Sequence, residues 1–215
     1  GVTLIGRVGD DSDGEALLQA LNADGVQLEP RVPAKEHTGV ALINVDAKGQ
    51  NQISVAPGAN RALSIRQVRA AAQIIASAKV LLCQFEAPAN ALHEALRIAR
   101  KHGTYTVLNP SPVRALSKQL PGCIDLLIAN EVEAQAFTGL PITSRAQART
   151  AAAALQAIGF AGVVITLGAR GALWSAAGSS GFQAAHRVAA LDTTAAGDTF
   201  AGYVAASIAR GSHLS

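Results

Sequence analysis

Residues 192–200 read DTTAAGDTF, with two carboxylates, three hydroxyls, two alanines and a glycine in one short run. RVAAL (187–191), just ahead of it, is an apolar run that reads as a buried strand. Just behind it Phe200, Val204 and Ile208 recur at helical spacing, so a helix is expected to begin near Gly197 or Asp198. A strand that ends in a small-residue turn and opens a helix aims free N–H groups and a positive dipole end at one point. Such a point binds an anion without a cationic side chain. Asp198 would repel a resident phosphate, but it suits a phosphoryl group in transit if it takes the proton of the attacking hydroxyl. Taken alone, Gly197-Asp198 is more simply the first turn of a helix, with Asp198 contributing ~0.3–1 kcal/mol against the dipole.

Other polar residues share one kind of position. Glu86 follows LLCQF, Asn109 follows TVL, Asn130 follows LLIA, Gly168 follows VVITL and Asp192 follows RVAAL. In an open parallel sheet the carboxyl ends of the strands face one edge, where ligands bind. Core packing does not explain five strands delivering polar residues there, so the pattern implies a cleft. TLGARG (166–171) leaves open backbone for a flat or anionic ligand, although a β-turn between strands gives the same residues. NEVE (130–133) has the spacing of a capping box. Its alternative is that Glu133 faces the cleft and orders water around Mg²⁺. LNPSP (108–112) is a stiff turn with a helix entry at Pro112. Glu86 is a carboxylate ending an apolar strand, with Arg97 the next basic residue along the chain; it can accept hydrogen bonds from substrate hydroxyls. No Gly-Lys pair, GxGxxG, GxSxG, HRD or HExxH occurs, so any nucleotide phosphate must be held by backbone rather than a P-loop lysine.

The elements that must position these residues alternate between strand and helix. VTLIGRV (2–8) reads as a strand, and a helix is expected over 15–21. TGVALINV (38–45) and NQISVA (51–56), joined by 46–49, read as a β-hairpin. Its strands carry apolar residues on both faces, which implies that both faces are covered. Ser64 with Gln67 starts a helix through Ser77. Strand 79–85, helix 89–102, strand 104–108, a short helix from Ser111-Pro112 and strand 124–129 follow. Asn130 starts one helix; Ser144 with Gln147 starts another that ends at Gly159. Strand 162–166, an antiparallel excursion over GALWSA and GFQAAH, and RVAAL complete the set. The alternation implies a mostly parallel sheet with helices on both faces.

Composition excludes several classes. The 215 residues carry 18 basic and 15 acidic side chains, with 4% aromatics and a mean hydropathy of +0.25. The basic residues are scattered, so nucleic-acid binding is not expected. The uncharged run 151–169 contains a Gly-Phe-Ala-Gly turn and reads as helix, turn and strand rather than a membrane span. Cys83 and Cys123 form no disulfide framework, which implies a reducing, cytoplasmic setting. The five histidines have no metal-ligand spacing. The sequence has no methionine and starts directly in a strand, so both ends are expected to lie inside a longer protein.

GRVGDDSDGE, TGVALI, LNPSP, ANEVEA, TLGARG and DTTAAGDTF follow one another in the order found in the ribokinase family of carbohydrate kinases (the phosphofructokinase-B type). The chain resembles that family over essentially its whole length. The resemblance implies an α/β fold, a three-layer αβα sandwich with a mostly parallel central sheet. Residues 1–215 would form one such domain without either family terminus, and 36–57 would be an inserted β lid. The di-glycine sugar-binding motif and an early aspartate are expected ahead of residue 1. An adenine-side asparagine and further cation ligands are expected beyond residue 215.

The implied activity is transfer of the γ-phosphoryl group of ATP to the primary hydroxyl of a sugar. TGVALINV, QFEAP and LNPSP point to D-ribose and D-ribose 5-phosphate. Fructose, 2-keto-3-deoxygluconate or a nucleoside are alternatives within the family, and a non-catalytic sugar- or nucleotide-binding member is an alternative outside catalysis. By the resemblance, Asp198 would be the base, Ala195, Ala196 and Gly197 the anion hole, and Glu86, Thr38 and Asp198 the sugar contacts. Asn130, Thr166, Leu167, Gly168, Ala169, Arg170, Gly171 and Gly197 would contact ATP. Glu133 would act on Mg²⁺, and Asp192 and Thr194 on K⁺. The implied protein is a homodimer through the lid, with no nucleic-acid or membrane partner.

Overall fold

A computed structural model describes residues 1–29, 34–45, 51–190 and 192–212. It divides into two compact units, Gly1–Ser77 with Glu86–Ile98, and Ala78–Phe85 with Ala99–Ser215.

In the first unit β1 (Val2–Ile5) pairs in parallel with β2 (Val26–Glu29), and α1 (Ser12–Ala23) connects them. The strand expected over 2–8 ends at Ile5, because pairing with β2 stops there. Asp11 starts α1 ahead of the expected residue 15, since its Oδ1 accepts the Gly14 N–H at 2.8 Å as an N-cap. The sequence reading had no β2; four residues carrying Gln27 and Glu29 give little strand pattern.

The hairpin forms as expected, β3 (Val40–Val45) antiparallel to β4 (Asn51–Ala56) with Val40 opposite Ala56. The turn expected at 46–49 lies outside the described residues. The expected cover of both hairpin faces, by a ligand on one side and a partner on the other, concerns groups outside this single chain. Val40, Leu42, Ile43, Ile53 and Val55 are 43–65% exposed in the single chain.

A capping box between Ser64 and Gln67 opens α2 (Ile65–Ala70). The helix breaks at Ala71, whose N–H is shared between the Gln67 and Val68 carbonyls, and resumes as α3 (Ala72–Ser77). Glu94, buried on α4 (Ala89–His102), pairs with Arg69 at 2.7 Å and Arg97 at 2.8 Å. Hydrogen bonds from the two guanidinium groups hold its carboxyl down at about 2.

The second unit is built on a six-stranded sheet in the order β10-β9-β8-β7-β6-β5. β5 (Val80–Cys83), β6 (Tyr105–Leu108), β7 (Leu126–Asn130) and β8 (Gly162–Thr166) are parallel. The expected excursion appears as antiparallel β9 (Ala172–Ala176) and β10 (Ser179–Gln183). Side chains alternate across a strand, and β7 shows the consequence. Leu126 and Ile128 join Val107 and Val164 in a cluster closed by Phe200, Ala201, Val204 and Ile208 of α7 (Ala196–Ala209). Leu127 and Ala129 point to the other face, and α5 (Glu131–Thr138) and α6 (Arg145–Ile158) pack against β7, β8 and β9. Fully burying an aliphatic side chain such as Leu126 contributes roughly 1.5–3 kcal/mol. The alanines of α6 at 148, 151 and 152 are buried, letting the helix lie close to its neighbours.

Two expected elements are absent. Of the strand expected over 187–191, residues 187–190 form none and Val188 is 78% exposed, with no strand among the described residues pairing to them; Leu191 lies outside the described residues. No helix follows Ser111-Pro112 either. Two prolines remove donors there, and the Ser111 carbonyl is taken by the Phe85 N–H at 2.9 Å, which draws the loop toward the end of β5. No helix among the described residues is long and apolar enough to cross a membrane.

Candidate functional site

α7 begins at Ala196, one to two residues from the sequence expectation. Its N-cap is Ala195, held at φ +58, a left-handed conformation that costs a residue with a Cβ about 1–2 kcal/mol. No side chain caps the helix. Ala196 N–H reaches the Thr193 carbonyl at 3.2 Å and Thr199 N–H the Ala195 carbonyl at 2.9 Å. The Gly197 and Asp198 N–H groups have no acceptor among the described residues. An anion at this point would satisfy what a capping oxygen satisfies elsewhere.

These residues line a recess of about 150 Å³. Thr193, Ala195, Ala196, Gly197 and Asp198 contribute from the start of α7; Ile128, Ala129, Asn130 and Thr166 contribute from the carboxyl ends of β7 and β8. Asn109, Ser111 and Glu133 complete it. Asn130 and Thr166 are direct partners in the β7–β8 ladder. Asn109 draws three strand ends together. Its N–H donates to the Cys83 carbonyl at 2.9 Å and its side-chain amide to the Ile128 carbonyl at 3.0 Å.

The capping-box reading of NEVE holds. Asn130 Oδ1 accepts the Glu133 N–H at 2.9 Å and Glu133 Oε2 accepts the Asn130 N–H at 2.9 Å, a complete capping box. Glu133 is also buried and faces the recess. Burial pushes its carboxyl above the ordinary value and the Asp198 charge adds to the rise. Hydrogen bonds from the Asn130 backbone and the Ser111 hydroxyl oppose it. Two carboxylates therefore share one recess, and a cation there would relieve both.

Within 166–171 only Thr166 lines the recess. Leu167 is buried, while Gly168, Ala169 and Arg170 form one exposed 3₁₀ turn closed by Leu167 N–H on the Gly171 carbonyl at 2.8 Å. Gly171 sits at φ +116, and a Cβ there would lie 2.0 Å from the Gln183 carbonyl oxygen, so only glycine fits. Asp192 and Thr194 come together, with Asp192 Oδ1 accepting the Thr194 N–H at 2.8 Å. Hydrogen bonds from Thr194 hold the Asp192 carboxyl below its ordinary value. Neither residue lines the recess, so Glu133 and the Asp192–Thr194 pair are separate features. Among the described residues no three His, Cys, Asp or Glu side chains gather as a metal site.

Glu86 and Thr38 belong to the first unit. Glu86 is exposed. Thr38 is buried, with its hydroxyl donating to Asp11 Oδ1 at 2.6 Å and accepting the Gly9 N–H at 2.9 Å, while its own N–H donates to Asp11 Oδ2 at 2.7 Å. These bonds hold the Asp11 carboxyl down at about 2. A Cβ on Gly9 would lie 2.5 Å from the Thr38 nitrogen, so the knot requires glycine. A second recess of about 400 Å³ lies beside it, lined by Asp13, Leu17, Thr38 and Val40 among others.

Sequence reasoning missed Ser111, Thr193 and Asp11. Ser111 and Thr193 stand inside runs already singled out, LNPSP and DTTAAGD, but neither hydroxyl could be aimed without the fold. Asp11 had a signal in its N-cap position ahead of Gly14.

The sequence model of the pfkB family carbohydrate kinases matches residues 1–215. Ribokinase of Haemophilus influenzae is 39% identical over 94% of this chain and 66% of its own length. Ribokinase of Schizosaccharomyces pombe is 38% identical over 99% of this chain and 69% of its own. The chain thus spans about two thirds of the length of the curated relatives it matches. Among solved structures, that of Arabidopsis thaliana ribokinase complexed with ribose and ATP matches with a TM-score of 0.87 at 28% identity, covering 98% of this chain and 70% of that one.

Proposed function

The chain belongs to the pfkB family of carbohydrate kinases, and from that premise we propose that it transfers the γ-phosphoryl group of ATP to the primary hydroxyl of a sugar, D-ribose foremost. The observation that carries this reading is the uncapped start of α7, where the Gly197 and Asp198 N–H groups lack acceptors among the described residues, beside the Asp198 carboxylate. Asp198 accepts the hydroxyl proton as the sugar oxygen bonds to the γ-phosphorus, and the bond to ADP breaks. The N–H groups of Gly197 and Asp198 stabilise charge on the transferring phosphoryl, aided by the dipole of α7. Ala195 and Ala196 shape that turn, with Ala195 in the left-handed conformation.

Asn130, Thr166 and Gly197 contact ATP from the recess, with the backbone of Leu167, Gly168, Ala169, Arg170 and Gly171 beside them. Glu133 suits Mg²⁺: it is a hard oxygen donor, and a cation would offset the burial and the Asp198 charge that raise its pKa. When bound, Mg²⁺ would neutralise charge on the β- and γ-phosphates. Asp192 and Thr194 offer oxygens to K⁺. Glu86 and Thr38 contact the sugar hydroxyls; this assignment is supported by resemblance, and for Glu86 by the acceptor chemistry of a carboxylate.

Residues 36–57 serve as a lid, and the exposed apolar hairpin residues support a homodimer through it. The cysteine content supports a cytoplasmic setting. The test is to incubate the protein with ATP, Mg²⁺, K⁺ and a panel of sugars, and identify products by ³¹P NMR and mass. Ribose 5-phosphate as the fastest product is expected. ATP hydrolysis with no sugar phosphate from any acceptor would overturn the proposal.

A further inference from the structure

Arg170 lies close to the recess in sequence, two residues past a glycine that a phosphate could approach, yet it does not line the recess. Its guanidinium is spent on protein. One terminal nitrogen donates to the Glu131 carboxylate and the other to the Thr143 carbonyl. Each of these partners is itself fixed. Glu131 is the first residue of α5, directly after Asn130, whose side chain caps that helix and faces the recess. Thr143 lies in the connection from α5 to α6, where Gln147 Oε1 accepts its N–H at 2.8 Å and its hydroxyl at 2.7 Å.

The turn that carries Arg170 is also fixed. Gly168 and Gly171 hold it at φ +55 and +116, and Leu167 and Gly171 close it. Arg170 thus bridges three segments: the turn after β8, the start of α5 and the α5–α6 connection. Two of them hold Thr166 and Asn130, the register partners at the ends of β8 and β7. A bidentate guanidinium suits this work, since its planar fork fixes direction as well as distance.

We propose that Arg170 is a positioning residue for the nucleotide half of the recess, acting through Glu131 and the Thr143 carbonyl and not by neutralising phosphate. This rests on the nucleotide reading given above. Arg170 sets the separation between the β7 end with Asn130 and the 166–171 turn, and so decides how well a nucleotide seats between them. The two roles for Arg170 make opposite forecasts for Glu131. If Arg170 positions, Glu131→Ala cuts the same bridge and imitates Arg170→Ala. If Arg170 binds phosphate, removing Glu131 releases the guanidinium and tightens nucleotide binding.

The test measures AMP, ADP and ATP affinity by calorimetry, together with steady-state KM and kcat, for the full-length protein carrying Arg170→Ala, Arg170→Lys or Glu131→Ala. Arg170→Ala and Glu131→Ala are each expected to weaken ATP roughly 10-fold, the scale seen when a supporting partner of a ligand is removed. The loss should be similar for all three nucleotides, with kcat and the sugar KM within about twofold. Combining the two substitutions should be no worse than either alone, and Arg170→Lys, which can reach one acceptor, should recover part of the loss. A loss that grows from AMP to ATP, or tighter ATP in Glu131→Ala, overturns the positioning role and leaves the nucleotide reading standing. Failure of the unsubstituted protein to bind any of the three overturns the nucleotide reading itself.

Discussion

Replacing Glu133 with glutamine separates what this side chain does for the fold from what it does for the chemistry. The carboxylate accepts the Asn130 N–H at 2.9 Å and takes a hydrogen bond from Ser111, yet its pKa is raised from the ordinary 4.5, because burial and the charge of Asp198 outweigh those bonds. Glutamine keeps an acceptor oxygen for Asn130 and offers its NH₂ to the Ser111 hydroxyl as acceptor, so the charge assistance is the main loss, about 1 kcal/mol. It also removes the charge whose burial is the larger effect. Glu133→Gln should therefore be the more stable protein at neutral pH. For a chain of this size each 1 kcal/mol moves Tm about 2–4 °C, so a rise of that order is the expected reading.

The sign can be followed with pH. A group whose folded pKa is raised contributes its full stability below the unfolded value, and that contribution is lost as pH rises through the folded value. Below about 4.5 the wild-type side chain is protonated in both states, and the two melting curves should meet. Above it the gap in Tm should open and then level off once Glu133 is ionised in the folded state. Over the same range kcat/KM should fall roughly 10- to 100-fold in the variant, because the charge that a divalent ion and the phosphates would use is gone. Differential scanning calorimetry from pH 4 to 8 with parallel initial rates makes both measurements. A variant that melts below wild type at pH 7, or a gap independent of pH, would show that burial does not raise the Glu133 pKa.

Asp11→Asn should lower Tm at neutral pH by weakening the Thr38 and Gly14 bonds. Since Asp11 is depressed from 3.8 to about 2, its contribution is present above the upper value and lost toward the lower, so the gap should close over that range. A constant gap contradicts the assignment. Glu86→Ala should raise the sugar KM ~10- to 150-fold, which is the loss of about 1.5–3 kcal/mol of charge-assisted hydrogen bonding, with the KM for ATP nearly unchanged; weaker ATP with an unaltered sugar would reverse the assignment. Activity of the full-length protein should rise more with potassium than with a large organic cation at equal ionic strength. A flat response across cations removes the Asp192–Thr194 proposal.

Much of the fold was legible because the signals were local. Ser64 with Gln67, Asn130 with Glu133 and Ser144 with Gln147 each stand three apart at a helix start, and Gly159 ends α6. Gly162–Thr166 and the α7 stripe of Phe200, Val204 and Ile208 carried their own periodicity. Failures came where a segment's state depends on a neighbour. RVAAL has strand composition, but a strand exists only where another chain segment pairs with it. In the site, residue types marked Asn130, Glu133 and Asp198, and the fold gathers all three with Thr166. The run 166–171 divided in a way no motif could state, since Thr166 lines the recess while Arg170 turns to Glu131 and Thr143.

Under the proposed function Asp198, beside two N–H groups without acceptors among the described residues, removes the proton of an attacking hydroxyl. Asp198→Asn tests it most directly. The side chain is exposed in the first turn of α7, so losing its charge should lower stability by only ~0.3–1 kcal/mol from the dipole. ATP affinity by calorimetry should change little. Sugar phosphorylation in the full-length protein should fall ~10²–10⁴-fold in kcat, the usual contribution of a general base. A folded, ATP-binding Asp198→Asn variant that phosphorylates ribose at the wild-type kcat would contradict the account.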